Sequence, residues 1–493
     1  MISHNLPALQ IVLPLISAPL CLLLLRPKLV WIFTLVVCLA TLGISVELLS
    51  LVINTGAISY EMGNWAPPWG IELRVDEISS FVLLIVSLIG AVVILYARKS
   101  VEREIPPHKH TLFYSAYLLC LAGLLGIVIT GDAFNVFVFL EISSLSTYTL
   151  VALGNDRRAL TAAFQYLIMG TLGATFILIG IGLMYMMTGT LNIQDLAGRI
   201  PEVLDTRTIR ASFAFLTVGI CLKLALFPLH LWLPNSYAYA PSAVSAFLSA
   251  TATKVAIYVL LRFVFIIFGV TFAFEVMPMG TVLMLMSIPA ILIGSTVAIF
   301  QQNIKRMLAY SSVAQIGYMI LGISLASVTG LTSGILHLFN HALMKGGLFL
   351  ALGGIAYHTG AARIEHFKGL GQTMPWTMAA IVVGGLSLIG VPLTVGFVSK
   401  WYLVLAALEQ GYWPIAVVVL VGSLLAVIYM WKLVEAAYFN KVDKNEVVVR
   451  EAPLQMLIPT WLLIAASLYF GIHTELTIDA AQKAAELLME AGR

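Results

Sequence analysis

Along this chain the hydrophobic positions form long unbroken runs, and the polar positions gather between them. A run of about 20 apolar residues makes a helix that crosses the roughly 30 Å hydrocarbon core of a bilayer. Fourteen such spans are predicted, near 7–25, 29–53, 78–97, 111–130, 132–153, 160–187, 211–232, 241–268, 276–300, 307–328, 332–357, 377–408, 414–438 and 455–473. The first lacks a basic leading segment and runs on to Arg26, so it reads as a span rather than a leader. Only Gly131 and Asp132 separate the fourth from the fifth. The predicted fold class is an all-α integral membrane protein.

Spans four to eight and nine to thirteen make two groups of five. Consecutive units with an odd number of spans sit upside down relative to each other, the inverted repeat of many transporters. The fourth member of each group carries a proline and a deep lysine: Lys223 and Pro228 in span seven, Pro392 and Lys400 in span twelve. Proline inside a spanning helix frees backbone groups, so both are predicted to be broken helices. The expected division is residues 1–110 (spans one to three), 111–268 (first five-helix repeat), 269–440 (second repeat) and 441–493 (last span and a short tail).

Composition agrees with the spans: 60% of the 493 residues are hydrophobic and only 10% charged. The net charge of +3 is spread over loops without a basic block, which argues against nucleic-acid binding. Cys21, Cys38, Cys120 and Cys221 all lie in apolar runs without CxxC spacing, so neither a disulfide framework nor a metal cage is expected. With the N-terminus outside, fifteen loop lysines and arginines fall inside and six outside. That excess, which includes Lys441 and Lys444 inside and Arg493 outside, places both termini outside a cell inner membrane. The loop with Arg199, Arg207 and Arg210 dissents. No Walker A loop or cluster-ligand spacing occurs, so no cofactor is expected and the chain would carry out neither redox chemistry nor ATP hydrolysis alone.

Six of the twenty-seven basic residues fall within spans: Lys223, Lys254, Arg262, Lys345, Lys400 and Lys432. Arg262 and Lys432 lie nearer span ends, where they are expected to snorkel to the interface; Glu47 and Glu435 are read the same way. A lysine at the bilayer centre costs roughly 3 kcal/mol on insertion scales, so the deep ones mark an ion or proton pathway. Glu141 is a central acid, and with Lys223 it forms a candidate pair in which each group stabilises the charge of the other. The plain alternative is a static tie between helices. Lys254 and Lys400 have no acid in sequence reach, so each is a candidate to accept and release a proton, or else to bond the carbonyls of a broken helix. His337, His341 and Lys345 recur every four residues on one face of span eleven, and histidine relays protons near neutral pH. The histidine pair lacks a third ligand for zinc. His230 follows the break after Pro228 and is expected near the inside mouth. Ser143, Ser144, Ser146, Thr147, Ser249, Thr251 and Thr253 can support water or cover backbone.

The stretches FVFLEISSLSTYTLVAL, LKLALFPLHLWLPNSYAYAPSAVSAFLSATATKVAIY, QQNIKRMLAYSSVAQIGYM and HLFNHALMKGGLF resemble the antiporter-like subunits shared by complex I and Mrp-type cation/proton antiporters. The resemblance covers roughly residues 70–440. It implies fourteen spans, broken helices seven and twelve, and a midplane chain of polar groups. The family's ionisable positions fall on Glu141, Lys223, Lys254, His337 and Lys400. The GFVSKW motif and the length look most like the D-type subunit of Mrp antiporters, and residues 474–493 make only a short amphipathic tail where an L-type subunit carries a long lateral helix. The resemblance implies a proton-translocating secondary-transporter subunit, not an enzyme in itself. Its partners would be other complex subunits, protons, a monovalent cation such as sodium, and the lipid bilayer. A pump subunit of complex I (NADH-quinone oxidoreductase) or of a membrane-bound hydrogenase is the alternative.

Overall fold

The computed structural model describes residues 3–24, 26–440 and 449–491. Lys441, Lys444 and Arg493 therefore lie outside the described residues. Among the described residues fourteen spans are present, and twelve of them are single helices long and apolar enough to cross a membrane. In chain order these are spans one to six, Leu6–Leu23, Pro27–Thr55, Glu77–Glu104, His110–Ile129, Ala133–Ala152 and Arg158–Thr188. Spans eight to eleven are Ser242–Leu261, Met279–Ile299, Ile304–Ser324 and Val328–Thr359, and spans thirteen and fourteen are Trp413–Tyr438 and Leu454–Ile472.

The remaining two are the ones that pair a proline with a deep lysine, and both are broken, whereas Pro14, Pro19, Pro289 and Pro459 sit inside continuous helices. Span seven runs Arg207–Leu224 and resumes at Trp232–Tyr239. Span twelve runs Pro375–Ile389 and resumes at Val395–Glu409. Each break carries a non-glycine residue in the left-handed region, Ala225 at φ 59°, three residues before Pro228, and Leu393 at φ 72°, directly after Pro392, and neither proline has an N–H to donate. Such conformations cost on the order of 1–3 kcal/mol and persist only where the surroundings enforce them. Gly390, at φ 92°, lets span twelve end without that cost at its own position.

Span eleven is the axis of the packing. All of residues 330–356 are buried, against spans three, eight, ten, twelve and fourteen and the C-terminal helix Glu475–Ala491. That last helix turns the predicted tail back onto the bundle, burying Ala481, Ala484, Ala485 and Leu488. A two-stranded antiparallel hairpin, Ile58–Glu61 with Glu72–Val75, joins spans two and three and is not expected from the sequence. Span one packs on span four, where Ser115 Oγ donates to the Ala18 carbonyl at 2.8 Å.

Arg262 corrects an expectation. It does not snorkel. It is buried at the start of a π-helical turn, Arg262–Ile267, and pairs with Asp76 at 2.5 Å, while its Nε donates to Tyr258 Oη at 2.8 Å. Asp76 also caps span three through a capping box with Ser79. The sequence pattern marks the arginine but not its partner, because Asp76 sits in a loop. Lys432 does reach a helix end, where its Nζ bonds the carbonyls of Ile299 and Gln301 below span nine.

Candidate functional site

The deep ionisable residues fall into two groups. In the first, Lys223 sits one residue before the end of the first half of span seven, and span five faces it. Lys223 Nζ lies 3.6 Å from Glu141 Oε1 and donates to Ser144 Oγ at 2.8 Å. Glu141 and Ser144 are three residues apart, so a single helix face presents both to the amine. The lysine side chain is 8% exposed and the carboxylate 28%. Beside them lies a cavity of about 40 Å³ lined by Ser143, Ser144, Thr147, Tyr166 and Lys223, with span eight as its far wall. Most of its remaining wall is apolar, from Leu124, Ile127 and Leu140 to Val255 and Val259, but its volume suffices for a water beside the hydroxyls and the amine. Ser143 and Thr147 bond backbone carbonyls of their own helix, so their hydroxyls also cover backbone, as one of the two readings expects.

The second group surrounds span eleven. Lys254 is fully buried, and its Nζ bonds the Ser249 carbonyl one turn back in span eight. Among the described residues no acid lies within ion-pairing distance of it. His341 lies within electrostatic reach of Lys254, Lys345 and His337. Both His341 ring nitrogens are buried without a hydrogen-bond partner. His337 stacks on His341 with ring centroids 6.0 Å apart, and its nitrogens meet Ser399 Oγ at 2.6 Å and Gln315 Oε1 at 2.8 Å. Lys345 Nζ donates to the Leu308 carbonyl and to Ser311 Oγ, each at 2.8 Å, and Ser311 meets Tyr429 Oη at 3.0 Å. The four-residue spacing therefore does line one face of span eleven, but the three groups reach different partners along it.

Lys400 ends the row. It lies one turn into the second half of span twelve and reaches back across the break. Its Nζ donates to the carbonyls of Leu388 at 3.1 Å and Ile389 at 3.0 Å, and to Ser423 Oγ at 3.0 Å. The amine also stands 4.7 Å from the centroid of the Tyr318 ring. The amine thus meets the carbonyls freed by the break, the contact named from the sequence as the alternative to proton exchange, and adds a hydroxyl and an aromatic face that the sequence does not point to. A Cβ on Gly422 would collide with Tyr318 Oη, so glycine there makes room for that ring. Ser423, Tyr318 and Gln315 give no sequence signal, because single polar residues in apolar runs carry no periodicity; Ser399 is signalled only by standing next to Lys400.

His230 stands apart from the row. It is buried against Phe227, 5.2 Å between ring centroids, and faces Tyr310, with Nδ1 unpartnered. Tyr310 lies in the second turn of span ten, close to the loop end at Ile304.

Comparison with known proteins gives the family and the fold. A sequence model of the family described as NADH:quinone oxidoreductase/Mrp antiporter, TM, matches residues 130–428. The chain is 40% identical over 492 residues to "NADH-quinone oxidoreductase subunit N" of Desulforudis audaxviator, covering 97% of both chains. It is 29% identical to the D-type "Na(+)/H(+) antiporter" subunit of Alkalihalophilus pseudofirmus, covering 91% of this chain and 89% of that one. Its fold superposes on a chain of the Mrp complex from Dietzia sp. DQ12-45-1b with a TM-score of 0.90 and 26% identity, over 99% of this chain and 98% of that one. Two broken spans and a buried row of lysines and histidines thus sit within a matched region of more than half the sequence, and the chain belongs to the NADH:quinone oxidoreductase/Mrp antiporter family of membrane subunits.

Proposed function

We propose that this chain is the proton-translocating subunit of a multi-subunit monovalent cation/proton antiporter, with sodium the expected cation. The observation that carries the reading is the buried row itself. Glu141 and Lys223, then Lys254, His341 and His337, then Lys400 are contributed by five different spans and, Glu141's half-open flank apart, are buried within the bundle. Protons would pass by protonation and release along this row, with Lys345 and His230 as side groups. The Glu141–Lys223 contact is worth about 4 kcal/mol at an effective dielectric near 20, less the screening admitted on the exposed side of Glu141. A proton arriving at either member removes that attraction, which makes the pair a switch. The half-open flank of Glu141 also supports a multi-subunit setting, since a mid-span carboxylate is sheltered by protein or water rather than by lipid. We further propose the two inverted halves 111–268 and 269–440, with both termini outside the inner membrane.

The name of the 40%-identical relative favours a second reading, in which quinone chemistry in another subunit drives the same row. Purifying the complex and assaying it in inverted vesicles separates the two. Dye-reported proton movement on imposing a sodium gradient, without flavin or iron–sulfur subunits, supports antiport. Acidification that requires NADH and quinone supports the second reading. No proton movement under either drive refutes both.

A further inference from the structure

Away from the polar row, a cleft of about 280 Å³ opens between spans two and three, span eleven, span fourteen and the C-terminal helix. Its walls are apolar along nearly its whole length. Phe81, Phe339 and Phe470 form the floor, packed ring to ring at 5.7 and 5.1 Å. Glu77 and Lys483 line both this cleft and an adjoining open depression, which sets the two charges at its mouth. From Glu77 at the start of span three to Leu88 on the same wall is eleven residues of helix. At 1.5 Å per residue that is about 16 Å, close to half the roughly 30 Å hydrocarbon core. The cleft therefore has the depth of one leaflet, with charge only at headgroup level.

The charges at the mouth select the headgroup. Lys483 makes no ion pair with any described residue. Glu77 Oε2 is buried without a hydrogen-bond partner. Asp479 stands at the same mouth, and Glu77 and Lys483 also line an adjoining open depression with Glu486 and Glu490. One cation among four carboxylates repels an anionic lipid but suits a zwitterion. A phosphate would sit at Lys483 and a primary ammonium at Glu77, each a charge-assisted hydrogen bond.

We propose that this cleft is a structural lipid site holding one acyl chain of a phosphatidylethanolamine, its phosphate on Lys483 and its ammonium on Glu77. Because Phe339 belongs to span eleven, the lipid would wedge the far side of the helix that carries His337 and His341.

Native mass spectrometry of the purified full chain in detergent tests this, with phosphatidylethanolamine, phosphatidylcholine and phosphatidylglycerol added in turn. The expected result is one phosphatidylethanolamine retained about tenfold better than phosphatidylcholine, whose methylated amine cannot donate to Glu77. Glu77→Gln should erase that preference, Lys483→Glu should weaken retention of both zwitterions, and Leu84→Trp should fill the cleft and abolish retention. Should Leu84→Trp fail to fold in a thermal melt, the two mouth variants decide alone. Equal binding of the three lipids, preference for phosphatidylglycerol, mouth variants that bind like the parent, or a partner subunit's helix found in the cleft of the assembled complex would each overturn the assignment.

Discussion

Replacing Lys400 by arginine and by methionine separates a titrating group from a helix-break anchor. The charged amine has three donors, and the structure supplies three acceptors: two carbonyls of the break and Ser423 Oγ. The neutral amine has two donors and one lone pair. It still satisfies both carbonyls, and the Ser423 hydroxyl can rotate to donate to the lone pair. The site therefore accommodates both protonation states without leaving a polar group bare, which is what a relay requires and an anchor does not. Lys400→Met leaves two buried carbonyls unpaired at about 1–3 kcal/mol each, so about 2–6 kcal/mol of destabilisation accompanies loss of the proton carrier. Lys400→Arg keeps donors for the carbonyls but cannot shed its proton near neutral pH. It is also bulkier in a tight place, since a Cβ on Gly390 would already lie 3.1 Å from Lys400 Cδ. We expect both variants to stop cation/proton exchange in inverted vesicles, with the arginine complex intact on a native gel and the methionine complex less heat-stable. Ser423→Ala, which keeps the amine but removes the hydroxyl that serves both states, should slow exchange roughly tenfold, the worth of one lost hydrogen bond. Near-normal exchange by the arginine form would refute the relay role and leave Lys400 as an anchor.

Glu141→Ala and Lys223→Ala should each abolish transport while the complex still assembles, and Glu141→Asp should keep part of it because the charge persists on a shorter arm; full exchange by either alanine form in the same vesicle assay would end the pairing idea. In the buried pair outside the row, burial alone raises the Asp76 carboxyl, but the Arg262 guanidinium and the Ser79 bonds hold it below the usual carboxylate range. A lowered folded value means the stabilisation is present above about pH 4 and is lost as pH falls through it. Asp76→Asn should therefore cost about 3–5 kcal/mol in detergent melts near neutral pH, because it leaves Arg262 buried and unpaired. That difference should shrink only in strong acid, and a difference that disappears between about pH 5 and 7 would contradict the pairing. For orientation, membrane-impermeant thiol reagents applied from outside should label cysteines introduced in the hairpin loop between spans two and three, but not one placed at Lys109; labelling at Lys109 would invert the topology.

Much of this architecture is legible because the bilayer imposes a coarse rule: long apolar runs span, and charges inside them need a reason. The same rule finds Glu141, Lys223, Lys254, His337, His341, Lys345 and Lys400. It misjudges Arg262 because nearness to a span end is a poor measure of exposure, and the buried Asp76 comes from a loop 186 residues earlier. The proline-marked break points to backbone carbonyls as partners of Lys400, but not to Ser423 or Tyr318, because one serine or tyrosine in an apolar run looks like any other until the fold brings it to an amine. The short hairpin and the docking of the tail helix depend on tertiary packing, which period and composition do not encode.

Span eleven has a consequence for biogenesis. Its 32 residues include three histidines and a lysine, and its whole middle is enclosed by protein. Released sideways from an insertion channel into lipid, Lys345 alone would cost about 3 kcal/mol at mid-depth. Two of its neighbours, spans twelve and fourteen, and the C-terminal helix are synthesised after it. The helix at the centre of the finished molecule thus emerges before half of its shelter exists. Spans three, eight and ten must hold it from one side, in a half-open bundle, until the last stretch of chain closes over the other.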